Sequence, residues 1–277
     1  MRKWAGSHVL KQNTPMKKPA DQHIHYDSVA DIYDSYVTGD FDVPFWVSEA
    51  RSVNGKVLEL MCGTGRISIP LLRAGIDLTC VDYAPEMLSR FRRKLDVNHL
   101  TCQLLCQDVA ELSLPDRFDL IIIPFHSFSE LTSEGKRRSA LCRIREHLTD
   151  RGLFICTLQN PVVRMTTMDG TTRLIGEFSL PCDEKLVVQS RLSFDSSSQL
   201  AEGIQVYDRY TSDGRVLDHR ILEMRFSLIS RHQFEVLARE TGFEVITVYG
   251  DYSRSPFEAQ SSPFIIVQLR RETTSNR

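Results

Sequence analysis

One ten-residue stretch limits what this chain can fold into. Val57-Leu58-Glu59-Leu60 is a short apolar strand with a single acid inside it, and Met61-Cys62-Gly63-Thr64-Gly65-Arg66 turns that strand into the amphipathic run 67–74. A strand, a turn free of bulky side chains and a helix N-terminus together aim backbone N–H groups at a ligand, which is how nucleoside cofactors are commonly held. Glu59 cannot sit unpaired in an apolar strand without a large desolvation cost, so it requires a ligand or a local partner. A dinucleotide fingerprint would place a third glycine where this chain has Ser68. The loop therefore departs from that class.

Further landmarks follow at βα spacing. Residues 76–81 form a second predicted strand ending in Asp82, about 20 residues beyond the glycines, where a ribose diol is bound in nucleotide folds. A third strand over 101–106 leads to Asp108, and 117–123 is a nearly continuous apolar run, as in a strand covered on both faces. Its exit is Pro124-Phe125-His126-Ser127-Phe128. Ligands of open parallel sheets sit off the carboxyl ends of strands, and His126 is the side chain of this exit that titrates near neutrality. A helix over 133–148 and a fifth strand over 153–158 come next. After Asn160-Pro161 the pattern changes to four long strands, 174–180, 185–194, 203–211 and 216–229, broken by turn residues and with no helix between them. A helix over 231–241 and strands over 243–249 and 263–270 close the chain.

These residues, in this order, resemble the class I S-adenosylmethionine (SAM) dependent methyltransferases. The Glu59 to Gly65 segment is similar to their motif I, although Met61 stands where many members carry another glycine, and Tyr83-Ala84-Pro85-Glu86-Met87-Leu88 after Asp82 matches their pattern. The segment Tyr26-Asp27-Ser28-Val29-Ala30-Asp31-Ile32-Tyr33-Asp34, with Tyr26, Val29, Ala30, Tyr33 and Val37 on one predicted helical face, is similar to the lid that small-molecule methyltransferases fold over the cofactor. The resemblance implies an α/β fold, a Rossmann-like seven-stranded sheet with an antiparallel final hairpin, plus an inserted antiparallel β meander. It implies SAM as cofactor and S-adenosylhomocysteine as its product. Tyr33, Glu59, Gly63, Gly65, Arg66 and Asp82 are then cofactor residues, with Tyr83, Met87, Asp108, Val109 and Pro124; Glu59 lies near the methionine moiety and Asp108 reads the adenine. Tyr26, Phe125, His126, Phe128, Tyr207 and Arg225 are the candidate acceptor contacts, and His126 is the candidate catalytic residue, a base for an oxygen acceptor or an orienting group for a nitrogen. The implied organisation is an arm over 1–22, a methyltransferase domain over 23–160 and 231–271, and an insertion over 161–230 that roofs the pocket or builds a dimer contact.

Composition narrows the partner. The 34 basic and 36 acidic residues give a formal charge of −2, unlike a protein that holds long nucleic acid through a basic face. The Asn/Asp-Pro-Pro-aromatic motif of amino-methylating DNA enzymes is absent at 124–127, as are the paired glutamates of protein arginine methyltransferases between 125 and 150. There is no apolar run of the roughly 20 residues a membrane helix needs and no signal-peptide core over 1–20, so the expected location is cytoplasmic, with no membrane partner. Seven cysteines, mostly inside apolar runs, fit reduced, buried thiols without a metal. The expected activity is methyl transfer to a nitrogen or oxygen of a small, partly apolar metabolite, by a monomer or homodimer. The alternatives are an NAD-dependent oxidoreductase and a non-catalytic SAM-binding or partner-binding protein of the same fold.

Overall fold

The structure, a computed structural model, describes residues 23–272; the predicted arm over 1–22 lies outside the described residues. The chain enters through a 3-10 turn, Tyr26–Val29, a four-residue helix α1 (Tyr33–Tyr36) and helix α2 (Val43–Ser52). The predicted leading helix is thus broken into two short pieces. Alternating strands and helices follow: β1 (Val57–Leu60), α3 (Ser68–Arg73), β2 (Leu78–Asp82), α4 (Pro85–Asn98), β3 (Gln103–Cys106), β4 (Phe118–Ile123), α5 (Glu134–His147) and β5 (Leu148–Gln159). After the short α6 (Pro161–Arg164) come four long strands, β6 (Asp169–Leu180), β7 (Glu184–Asp195), β8 (Leu200–Tyr210) and β9 (Val216–Ser227), then α7 (Arg231–Glu240), β10 (Phe243–Tyr249) and β11 (Phe264–Arg271).

The seven-stranded sheet has the order β10-β11-β5-β4-β1-β2-β3. β1 pairs in parallel with both β2 and β4, so the order reverses beside it, and the cleft of a doubly wound fold opens where strands diverge. β11 is antiparallel to both its neighbours, which gives the predicted closing hairpin. Burial explains the strand sequences: β1, β2 and all but one residue of β4 are buried, because helices cover both faces. Period-2 alternation sorts β4 into two cores. Ile121 and Ile123 join Leu141 and Ile144 of α5 and Phe234 of α7 on one face, while Leu120 and Ile122 join Trp46 of α2, Leu71 of α3 and Phe91 of α4 on the other.

The four long strands form a separate antiparallel meander, β6-β7-β8-β9, in register along most of their length. Leu186, Val188, Tyr207 and Leu222 on one of its faces pack against Ile24, Val29 and Ile32 of the entering segment. All seven cysteines are free thiols, but Cys106 and Cys182 are exposed, correcting the expectation of burial for those two. β3 is an edge strand, and Cys182 sits in the β6–β7 turn. Among the described residues, no helix is long and apolar enough to cross a membrane and no cluster has metal-ligand character.

Candidate active site

The glycine turn is built from left-handed residues. Met61, Gly63 and Gly65 have φ of 57°, 55° and 81°, so the chain leaves β1 through a tight turn into α3, closed by the Gly65 N–H donating to the Cys62 carbonyl at 3.0 Å. Glu59 finds its partner locally: Ser68 Oγ donates to its Oε2 at 2.6 Å. The residue that breaks the dinucleotide fingerprint therefore accommodates the acid of the strand. Burial pushes the Glu59 carboxyl up to about 8, against the opposing pull of the Ser68 bond and of Arg66. Arg66 is tied to Asp42 at 2.6 Å and 2.8 Å and lies over the Phe125 ring, 4.6 Å from its centroid. Glu59, Met61, Gly63, Arg66, Pro124 and Phe125 line a small recess of about 40 Å³ over the turn, together with Tyr33.

That recess adjoins a larger cavity of about 390 Å³ lined by Tyr33, Met61, Gly63, Phe125 and Ser127 as well. On one side of it stand Asp82, Tyr83 and Met87 with Tyr26 from the entering segment. Asp82 accepts from the Gly63 N–H at 2.7 Å and the Ala84 N–H at 2.9 Å, which fixes the carboxylate at the end of β2. Its burial lifts it to about 6, the backbone bonds partly offsetting that. Tyr83 Oη donates to the Ile24 carbonyl at 2.6 Å, and Tyr26 and Tyr33 pack on Ala84 and Met87, so the entering segment covers this side as a lid. A cradle of left-handed glycines, an acid in β1, an acid ending β2 and an aromatic cover over one continuous hollow fit a sulfonium nucleoside.

The exit of β4 faces the same hollow. Phe125 and His126 both have positive φ, 55° and 67°, which turns their side chains away from the sheet into the cavity they line. The His126 ring stacks on Phe264 with centroids 5.1 Å apart, and its Nδ1 is buried without a hydrogen-bond partner. Burial, reinforced by the charge of Arg164, lowers it to about 4, so the ring is neutral at pH 7. Four residues on, Glu130 lines the cavity and accepts from Tyr26 Oη at 3.0 Å. Burial raises this carboxyl to about 8, with the Tyr26 bond opposing. Sequence reasoning missed Glu130, although an acid four residues past His126 in a ligand-facing exit was the available signal.

The remaining wall comes from beyond β5. Gln159 and Arg164 stand at the end of β5 and of α6, and Ile175, Ser190, Leu192, Gln205, Met224 and Phe226 project from the meander. Asn160 anchors this corner: buried, it donates to the Ala259 and Ser262 carbonyls at 2.9 and 2.8 Å and accepts from the Val162 N–H.

Six predicted contacts fall elsewhere, counting Gly65, which lines neither hollow and turns the side of an added Cβ toward Phe91 of α4. Phe128 is wholly buried edge-on to Phe234, because the exit turns into a 3-10 turn that points it back to the core. Tyr207 lies on the meander face under the entering segment, its hydroxyl 2.8 Å from that of Tyr36. Arg225 is ion-paired with Glu202 at 2.7 Å, since strand alternation sends its neighbours Met224 and Phe226 into the cavity instead. Asp108 and Val109 also do not line the cavity: Asp108 accepts from the Ala110 N–H at 2.9 Å and pairs with His23 at 3.1 Å, and Val109 is core.

Comparison with known proteins agrees with this geometry. Residues 57–152 match a family described as a methyltransferase domain. The chain is similar to a glycine/sarcosine N-methyltransferase of Parasynechococcus marenigrum, at 29% identity over 72% of this chain and 66% of that one. It is similar too to the cypemycin N-terminal methyltransferase of a Streptomyces species, at 25% identity over 91% of this chain and 100% of the other. In fold it resembles the crystal structure of an S-adenosylmethionine-dependent methyltransferase from Clostridium acetobutylicum, with a TM-score of 0.73 and 20% identity over 90% and 99% of the two chains.

Proposed function

The chain belongs to the class I S-adenosylmethionine-dependent methyltransferases, and from that premise we propose that it methylates a nitrogen of a small, partly apolar molecule. The observation that carries this reading is the pairing of Glu130, a recessed carboxyl at about 8, with His126, a neutral ring at about 4, in one hollow. SAM, when bound, supplies an activated methyl on a sulfonium, so the chain's own work is alignment, exclusion of water and management of one proton. An amine must be neutral to attack, and its proton must go to a group titrating close to working pH. Glu130 answers that need. A hydroxyl acceptor requires a stronger base than His126 supplies, so His126 orients rather than deprotonates.

Tyr33, Glu59, Gly63, Gly65, Arg66, Asp82, Tyr83, Met87 and Pro124 hold the cofactor in this reading. Tyr26 positions the Glu130 carboxyl, and Phe125 and the meander close the acceptor side against water. The insertion over 161–230 is a substrate roof. A cytoplasmic monomer or homodimer belongs to the same reading. The N-methyltransferase names of both sequence relatives support nitrogen over oxygen.

The test is methyl transfer from SAM to a panel of small amines and alcohols, read as a 14 Da gain by mass spectrometry, followed by a pH profile on the best acceptor. We expect amine products, a kcat/KM that rises with pH to a plateau above about 8, and a Glu130→Gln variant slowed about 10²-fold with that rise removed. Alcohol products alone, or a Glu130→Gln enzyme with the wild-type profile, would defeat this mechanism. SAM binding with no methylated product across the panel would favour a non-catalytic binder.

A further inference from the structure

Among the residues that line the larger cavity, Arg164 is the one lysine or arginine. Its Nε donates to Gln159 Oε1 and its Nη1 to Thr167 Oγ1, each at 3.1 Å, and both partners are neutral. No carboxylate pairs with it among the described residues. The charge that bears on it is another cation, Arg173, itself matched to Asp169 at 2.8 Å. Burial and Arg173 both press against the charged form of Arg164, yet a guanidinium stays protonated in a protein. A half-buried positive charge thus faces the hollow without an anion, which is costly unless a ligand brings one.

The second observation is independent of the first. His126 Nδ1 is buried and has no partner, although buried polar atoms are nearly always bonded. Its ring lies within electrostatic reach of Arg164 and lines the same cavity. The other charged groups acting on it, Arg66 and Asp42, are matched to each other. An unmatched cation on that space and an orphan ring nitrogen buried in its wall call for the same partner, an acceptor of N–H bonds that carries one negative charge.

We propose that the methyl acceptor bears a carboxylate, held by the Arg164 guanidinium and by the Nδ1–H of His126. The planar fork of an arginine matches a carboxylate, and a single guanidinium beside a neutral ring leaves a phosphate dianion half unmatched. Leu192, Met224 and Phe226 on the neighbouring wall receive an apolar body. The acceptor class is therefore a carboxylate-bearing amine with an apolar part. This inference rests on the amine-methyltransferase reading of the same hollow, but the anion site itself can be tested by binding alone.

The experiment uses histidine-labelled protein saturated with S-adenosylhomocysteine, with the His126 signal assigned through His126→Gln and followed by NMR. Acetate and phenylacetate are the probes, and acetamide and phenylacetamide the neutral controls. The carboxylates should give a saturable shift of His126 and raise its pKa by about one unit, as an adjoining anion does. The amides should give neither. Arg164→Gln should abolish the effect and Arg164→Lys restore part of it, with S-adenosylhomocysteine affinity unchanged in both variants as proof of an intact fold. No His126 response to phenylacetate up to about 0.1 M, an equal response to the amide, or an equal response in Arg164→Gln would overturn the proposal. For any amine acceptor found, Arg164→Gln should lower kcat/KM about 10²-fold for the acid and little for its amide, as expected for loss of a charged partner. Methylation of neutral amines without carboxylate binding would sink this inference and spare the amine reading; carboxylate binding without amine methylation would do the reverse.

Discussion

At the scale of single residues, the site is made by backbone that few residues adopt easily. Met61, Phe125 and His126 hold positive φ without being glycine, and such positions each store roughly 1–3 kcal/mol that the surrounding packing must offset. They border the cavity on both sides, where the side chains have to leave the line of the sheet. The two loop glycines differ in what a methyl would meet. At Gly63, φ is +55° and an added Cβ touches Met87 Cε at an ordinary 3.5 Å, whereas at Gly65 φ is +81° and the Cβ falls 2.4 Å from the Phe91 ring. Gly63→Ala should therefore cost about 1–2 kcal/mol of conformational strain. Gly65→Ala should add an overpacking term of about 1–3 kcal/mol on top of its own strain. Chemical denaturation with calorimetric SAM titration checks this; equal losses for the two variants would mean that Phe91 yields.

At the scale of elements, the entering segment cannot stand by itself. A four-residue 3-10 turn and a four-residue helix are far below the length at which an isolated helix is stable. Their order comes from tethers to two different elements. Tyr83 Oη holds the Ile24 carbonyl and Asp27 Oδ1 accepts from the Glu86 N–H at 2.9 Å on the α4 side; Tyr36 meets Tyr207 and Asp31 pairs with Arg220 on the meander side. The meander therefore supports the lid as well as lining the cavity. Removing its two tethers in Tyr36→Phe/Arg220→Ala should speed hydrogen exchange over residues 24–36. SAM affinity should fall about twofold to seventyfold, since the lost hydrogen bond is worth about 0.5–1.5 kcal/mol and the largely exposed pair about 0–1 kcal/mol. The thermal midpoint should move little. Unchanged exchange in that segment would show that the α4 side alone suffices.

At the scale of the whole molecule, three recessed carboxyls set a pH response. Glu59 and Glu130 stand at about 8 and Asp82 at about 6 in the fold, against ordinary values of 4.5, 4.5 and 3.8. The folded chain keeps protons that the unfolded chain has already released, so their contribution is full below about pH 4 and is lost as pH rises through 6 to 8. His126 acts oppositely, its contribution present above 6.5 and lost as pH falls toward 4. Between pH 6.5 and 8.5 the carboxyls prevail, and the thermal midpoint of the unliganded protein should decline. A Glu59→Gln/Glu130→Gln variant should flatten the decline; a wild-type curve already flat there would contradict the protonation of these groups. The same scale separates what order along the chain could tell from what it could not. Strand and helix types, the closing hairpin, the glycine turn and Asp82 were legible, because they follow from local periodicity, turn chemistry and βα spacing. The partner of Glu59, the fate of Phe128, Tyr207 and Arg225, and the entry of Glu130 and Arg164 into the site were decided only in three dimensions. Whether a side chain meets the core, the lid or the cavity depends on the twist of its exit loop and on which face of the meander turns inward. Those choices are fixed by packing between segments a hundred or more residues apart, as when Tyr26 meets Glu130.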